Sequence, residues 1–360
     1  MKIIFAGGGT AGHVEPALAV ARCWREQNPE DLIEFIGTNK GLENQLVPAA
    51  SFKLHHIPKV VLPRKISPAL FTSPLTLFKS FKSTCQIANG ADLLIGFGGY
   101  VSAPAYLAAK YLRIPFVVHE ANAKAGFANR LGASLTPYVA VAQTTRTKSL
   151  AKALITGIPL RPDVAMALTN SDSDWLAARA KAKSALGFSP TAPLILAFFG
   201  SQGSVALNAV IEKSLPTLLS QGNQLMHAVG KLNKLPVQQD RYKSVAYIED
   251  MATAYLAADL IISRSGAISC SEINALGRYA LFIPLPIGNG EQRFNSSHVI
   301  DQGRGELIEQ SQFSPAWLAT NLTRLLTRAA DAPVAGSDSD LQATQKIVNF
   351  MDYALKAGKI

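Results

Sequence analysis

The chain has 360 residues, of which 48% are apolar and 17% charged. That composition excludes a disordered chain and leaves material for two domains, each with a full core. The net charge of +10 is uneven: residues 1–160 hold 17 Lys/Arg against 8 Asp/Glu, while residues 161–360 hold 18 against 17, so the first half is expected to meet an anionic surface or ligand.

In chain order, the opening MKIIFAGGGTAGH loses its apolar run after Ala6 and meets three glycines. It reads as a first strand and turn rather than a signal peptide. No window reaches the ~18 uninterrupted apolar residues of a membrane span. Strands are expected at 2–6, 32–37, 93–96, 116–119 and 139–142, with helices such as 15–27 and 103–111 between them. That alternation marks a parallel, doubly wound α/β sheet. The pattern restarts at 194–199 and continues at 224–229, 244–248, 260–263 and 280–283. The fold class expected is α/β, with two Rossmann-like doubly wound parallel-sheet domains facing a cleft. The first spans residues 1–158 and the second 159–337, joined near Gly157-Ile158-Pro159-Leu160-Arg161-Pro162, where two prolines and a glycine stop regular structure. After a Pro-, Gly-, Ser- and Asp-rich break at 332–340, a last helix at 341–357 is expected to fold back onto the first domain. Open α/β sheets bind ligands at the carboxyl ends of their strands, so the cleft is the expected site.

Five motifs carry chemistry. Gly7-Gly8-Gly9-Thr10-Ala11-Gly12-His13 matches G-x-G-x-x-G between a strand and a helix, where backbone amides and the helix terminus suit a phosphate. A dinucleotide reading fails, because the second strand ends Phe35-Ile36-Gly37-Thr38-Asn39 without the required acid. Gly96-Phe97-Gly98-Gly99-Tyr100-Val101-Ser102 is a second turn of this kind; side by side, the two could wrap a diphosphate. Phe199-Gly200-Ser201-Gln202-Gly203-Ser204 repeats the logic in the second domain. In Ser263-Arg264-Ser265-Gly266-Ala267-Ile268-Ser269-Cys270-Ser271-Glu272, the final carboxylate can accept from both hydroxyls of a ribose. Finally, the loop 284–290 feeds a helix whose first turn offers Glu291, Gln292 and Asn295 to sugar hydroxyls. Cys23, Cys85 and Cys270 have no CxxC spacing, so neither a zinc pattern nor a disulfide framework is expected, and the natural setting is a reducing cytoplasm.

These motifs in this order, with His119-Glu120-Ala121-Asn122 and the 157–161 hinge, resemble the MurG family of N-acetylglucosaminyltransferases end to end. The resemblance implies the GT-B fold and an inverting transfer of N-acetylglucosamine from its UDP donor (UDP-GlcNAc) to the 4-hydroxyl of N-acetylmuramic acid on lipid I, the undecaprenyl-diphosphate acceptor. It implies Ser201 at the UDP diphosphate with Arg161 nearby, Ile248 at uracil, Ala267, Ile268, Ser269, Cys270, Ser271 and Glu272 along the nucleoside, and Gln292 on the donor sugar. Thr10, Ala11 and Gly12 would lie against that sugar, and Asn122 would face the acceptor. His13 is the expected general base and Glu120 the runner-up. The sequence departs from the family pattern at Ala11, Ala121, Ile158, Phe199 and Glu291. The other readings are another GT-B UDP-sugar transferase or a UDP-GlcNAc epimerase. No cofactor or obligatory metal is expected; Asp172–Asp174 and Asp338–Asp340 read as caps and solvated loop.

A lipid-linked acceptor requires the enzyme to reach the bilayer, which implies a peripheral enzyme on the cytoplasmic face of the bacterial membrane. Leu70, Phe71, Leu75, Leu77, Phe78 and Phe81 interleave with Lys79 and Lys82, just after Arg64 and Lys65. This fits a patch for an anionic membrane surface. Nucleic acid is not an expected partner, since neither an RNA-binding aromatic signature nor a basic helix is present.

Overall fold

The computed structural model describes residues 1–60, 69–287 and 289–358 and, for 69–74, the backbone alone. The chain divides into two compact units, Met1–Arg161 with Asp340–Ile360, and Pro162–Ser339. The crossings thus fall at Arg161/Pro162 and Ser339/Asp340.

The first unit is built on a seven-stranded parallel sheet of β1 (Lys2–Gly7), β2 (Leu32–Gly37), β3 (Lys53–His56), β4 (Leu93–Gly98), β5 (Phe116–Glu120), β6 (Val139–Val141) and β7 (Leu154–Ile155), ordered β3-β2-β1-β4-β5-β6-β7. The second carries β8 (Leu194–Phe198), β9 (Gln224–Ala228), β10 (Tyr242–Val245), β11 (Leu260–Ser263), β12 (Tyr279–Phe282) and β13 (Gly305–Leu307), ordered β10-β9-β8-β11-β12-β13 and again parallel. Central strands such as β1, β4 and β8 are covered on both faces, which is why they read as unbroken apolar runs. In each sheet the strand order reverses once, between β1 and β4 and between β8 and β11. The glycine turns of each unit leave from those adjacent strand ends.

The helix Ala343–Ala357 belongs to the first unit. Its Ile347, Val348, Met351, Ala354 and Leu355 enter one core with Phe5, Leu18, Trp24 and Ile95. Gln345 Oε1 accepts a 2.7 Å bond from Gln27 of the helix Ala11–Gln27. That helix starts at Ala11, four residues before the expected start, so Ala11, Gly12 and His13 form its first turn. β10 starts two residues before the expected strand and ends at Val245, because Tyr242 is a fully buried anchor and Ser244 turns its hydroxyl to Pro236 O.

No described helix is long and apolar enough to cross a membrane. On the helix Ala69–Ala88, Leu75 and Phe78 are 59% and 62% exposed, and Lys79 and Lys82 are exposed beside them. Phe81 is half-buried with its ring edge-on to Tyr111. Arg64, Lys65 and the side chains of Leu70 and Phe71 lie outside the described residues.

Candidate active site

In the first unit the two glycine turns interlock. Gly9, Gly98 and Gly99 have φ of 94°, 97° and 84°, a region that costs other residues strain. A Cβ on Gly99 would sit 2.5 Å from Gly8 O, and one on Gly98 would sit 3.2 Å from the His13 ring. Ser102, fully buried, closes the second turn: its Oγ accepts from Gly98 N (3.0 Å) and lies 3.1 Å and 2.8 Å from the acceptors Ala6 O and Gly98 O. His13 is half-buried, with Nδ1 3.2 Å from Gly8 O and 3.3 Å from Thr10 Oγ1. A carbonyl only accepts, so a hydrogen bond to Gly8 O requires the proton on Nδ1, which in the neutral ring leaves the lone pair on Nε2. Thr10 is exposed, and Ala11 and Gly12 are half-exposed on the same helix start. Tyr100 reaches over Gly9, with Lys59 Nζ 4.4 Å above its ring.

Glu120 is engaged by its own loop. Its carboxylate is buried and accepts from four donors: Asn122 N (2.9 Å) and Nδ2 (3.0 Å) on one oxygen, Gly126 N (3.0 Å) and Asn129 Nδ2 (3.1 Å) on the other. A group so engaged ties the 120–129 loop together and holds Asn122 by both its main-chain and side-chain nitrogens. Asn129, overlooked in the sequence, completes the network by accepting from Tyr106 Oη at 2.7 Å. Glu43 was also overlooked. It is fully buried and accepts from Gly9 N at 2.8 Å. It stands four residues beyond Asn39, past the end of the second strand.

The second unit holds its own cradle. Gly200 and Gln202 are exposed and Ser201 half-exposed, so this turn is open to solvent. Gly203 (φ 70°) and Gly230 (φ 99°) let the turn lie directly on the loop after β9: a Cβ on Gly203 would overlap Val229 O. Asn233 Nδ2 ties Gln202 O (2.9 Å) to Val229 O (2.8 Å), and Lys231 N donates to Ser201 O (3.3 Å). Ser204 caps the helix Val205–Ser220. Arg264 locks the surrounding loops, donating to Ile283 O (3.1 Å), Pro284 O (3.0 Å), Ser204 Oγ (3.4 Å) and Gln310 Oε1 (2.7 Å). Burial lowers its guanidinium pKa.

Ala267, Ile268, Ser269, Cys270, Ser271 and Glu272 all fall on the helix Ala267–Ala275 beside that turn. Ile268 and Ser269 face outward, whereas Cys270, Ser271 and Glu272 are buried. Glu272 is 1% exposed, which excludes a merely solvated residue and sets it below the surface that Ile268 presents. Ile248, 5% exposed, follows β10 in irregular backbone. Gln292 Oε1 accepts from Leu285 N (3.0 Å), so a ligand would meet its amide hydrogens. Asn295 does not offer itself to a sugar: it is fully buried and donates to Ser265 O at 3.1 Å. Gly288 of the same loop lies outside the described residues. Arg161 is the last residue of the first unit before the crossing, and Ser201 belongs to the second. Asp174 caps the helix Trp175–Ala185 and Asp340 accepts from Ile158 N, so one acid of each Asp-Ser-Asp run has structural work.

The model of the glycosyltransferase family 28 N-terminal domain matches residues 3–142, and that of the family 28 C-terminal domain matches 194–349. A relative from Streptomyces coelicolor, named UDP-N-acetylglucosamine–N-acetylmuramyl-(pentapeptide) pyrophosphoryl-undecaprenol N-acetylglucosamine transferase, is 44% identical over 333 residues, 91% of this chain and 89% of its own. A relative of the same name from Thermobifida fusca is 40% identical over 363 residues, 97% and 94% of the two chains. Among solved structures, the MurG of Acinetobacter baumannii superposes with a TM-score of 0.72 at 27% identity, covering 98% of this chain and 99% of that one. UDP-GlcNAc 2-epimerases superpose at 13–15% identity, a likeness of fold alone. With both family 28 domains in order and identities of 40–44% along nearly its whole length, the chain belongs to the MurG family of GT-B glycosyltransferases.

Proposed function

We propose that the chain transfers N-acetylglucosamine from UDP-N-acetylglucosamine to the 4-hydroxyl of the N-acetylmuramic acid of lipid I, forming lipid II for peptidoglycan. The observation that carries this is the identity to transferases of that name over nine-tenths of the chain. In our reading the second unit holds the donor. Amides of the solvent-open Gly200–Ser204 turn and Arg161 stabilise charge on the departing UDP, the Ala267–Glu272 helix and Ile248 take the nucleoside, and Gln292 takes the sugar. The resemblance also gives Thr10, Ala11 and Gly12 a part in binding the donor sugar, and Asn122, bonded to Glu120, a part in binding the acceptor. His13 Nε2 removes the proton from the attacking hydroxyl, help typically worth ~10²–10⁴ in rate. Turnover of radiolabelled UDP-N-acetylglucosamine with a short-chain lipid I analogue tests the assignment. His13→Ala should lower kcat, and Glu272→Ala should mainly raise the donor KM. No transfer by the intact chain would overturn the reading.

The acceptor also fixes where such an enzyme works, at the cytoplasmic face of the membrane. The exposed Leu75, Phe78, Lys79 and Lys82 of one helix support contact there with an anionic leaflet. Each basic group near such a leaflet contributes about 1 kcal/mol. Lys79→Glu with Lys82→Glu should weaken binding to anionic vesicles and spare UDP binding.

A further inference from the structure

We propose that Glu43 is the positioning residue of the base. Acting through the single peptide group between Gly8 and Gly9, its carboxylate holds His13 in the tautomer that can take the acceptor's proton. The inference rests on the reading above that His13 is that base.

Glu43 opens the helix Glu43–Ala49 with its side chain turned beneath the first glycine turn, completely buried. Oε2 accepts from Gly9 N at 2.8 Å; Oε1 accepts from Thr38 N at 3.0 Å and Thr38 Oγ1 at 3.1 Å. Three glycines make room for it. A Cβ on Gly8 would lie 2.9 Å from Oε1, one on Gly37 2.7 Å from Cγ, and one on Gly41 would overlap the carboxylate. Burying an acid this deeply costs several kcal/mol unless its oxygens are satisfied, and here the first glycine turn itself supplies a donor.

Gly9 N–H and Gly8 C=O are the two ends of one conjugated, planar peptide group. Donation to a carboxylate at one end makes the carbonyl at the other a stronger acceptor. That carbonyl lies 3.2 Å from His13 Nδ1. The series carboxylate, peptide, imidazole has the logic by which a buried acid orients a catalytic histidine in hydrolases, with one peptide group interposed. Among the described residues, charged groups on the neighbouring segments include Glu120, bonded to Asn129 next to Gly98, Lys59 over Tyr100, and Glu15 on the same helix. Glu43→Gln and Glu43→Asp keep all of these residues and differ in the charge at 43, so comparing their profiles reads Glu43.

Nitrogen-15 spectra of the imidazoles in the intact protein read the tautomer directly. The inference requires Nδ1–H on His13, and a ring protonated on Nε2 alone overturns it. Glu43→Gln, checked for folding by its melting temperature and for UDP binding by calorimetry, should lower kcat about ten-fold at unchanged donor KM. The acid limb of its kcat profile should move to lower pH, because a ring that loses a nearby negative charge holds its proton less tightly. Glu43→Asp keeps the charge and should keep the limb. A folded Glu43→Gln with wild-type kcat and an unmoved limb overturns the inference. If that variant does not fold, the wild-type tautomer and the Glu43→Asp limb decide. Wild-type turnover in His13→Ala would sink the reading of His13 as base instead, while the tautomer measurement still tests the role of Glu43.

Discussion

At Gly203 a single hydrogen lets two backbones touch. Any Cβ there meets Val229 O, and the φ of 70° is itself unfavourable for other residues. Gly203→Ala should therefore cost roughly 2–4 kcal/mol, read from the denaturation midpoint, and should abolish UDP binding measured by calorimetry. Glu120→Ala removes the acceptor of four donors, so we expect kcat to collapse and no recovery with added carboxylate, as fits an organiser rather than a proton acceptor. Glycine turns of this kind are legible in a sequence because the constraint and the residue that meets it are neighbours. Glu43 and Asn129 were not legible as site residues, and Arg264, though inside the fourth motif, carried no stated role. Each acts on groups from distant segments, such as Glu43 on Gly9 and Arg264 on Pro284 and Gln310, and no local spacing announces such a pairing.

Elements were legible where burial is two-sided. β1, β2, β4, β5 and β8 declare themselves as apolar runs closed by glycine or polar residues. β3 has no apolar signature because Lys53-Leu54-His55-His56 is an edge strand whose polar side chains have a target: Lys53 and His55 lie 2.8 Å and 3.1 Å from the carboxylate of Glu34. That contact, with Lys2, lowers the Glu34 pKa against the opposing effect of burial. β7 is two exposed residues long, and its pairing with β6 is all that defines it. The helix Ala343–Ala357 was legible as a helix returning to the first domain, but its partners there, Phe5 and Trp24 among them, are a tertiary fact. Met351 is fully buried in that core. Met351→Ala should cost about 2–4 kcal/mol in the first unit, seen by hydrogen exchange of β1 and β4, while protection of β8 and β11 stays as it is.

Across the whole molecule, each unit buries one neutral histidine. His119 and His227 both have pKa values pushed down to about 4 by burial, against an ordinary 6.5. Between these values the unfolded chain binds protons that the folded chain refuses. Both histidines therefore leave stability intact above pH 6.5 and erode it as pH falls towards 4, by about 1.4 kcal/mol per unit for each. Melting temperatures at pH 7.5 and 5 should show this loss, and His227→Gln should blunt it. The positive first half and near-neutral second half were plain in the sequence, yet where those charges sit on the surface had to await the fold.

The first unit is also discontinuous, made from Met1–Arg161 and Asp340–Ile360 with the second unit threaded between them. On the ribosome the second unit can finish folding while the first still lacks a wall of its core. Trp24, Leu18 and Phe5 stay under-covered until Ile347 and Met351 emerge. Synthesis of this chain thus has a vulnerable interval, before the helix Ala343–Ala357 emerges, in which the first unit shows apolar surface to chaperones and proteases, and the speed at which that helix is translated becomes a determinant of yield.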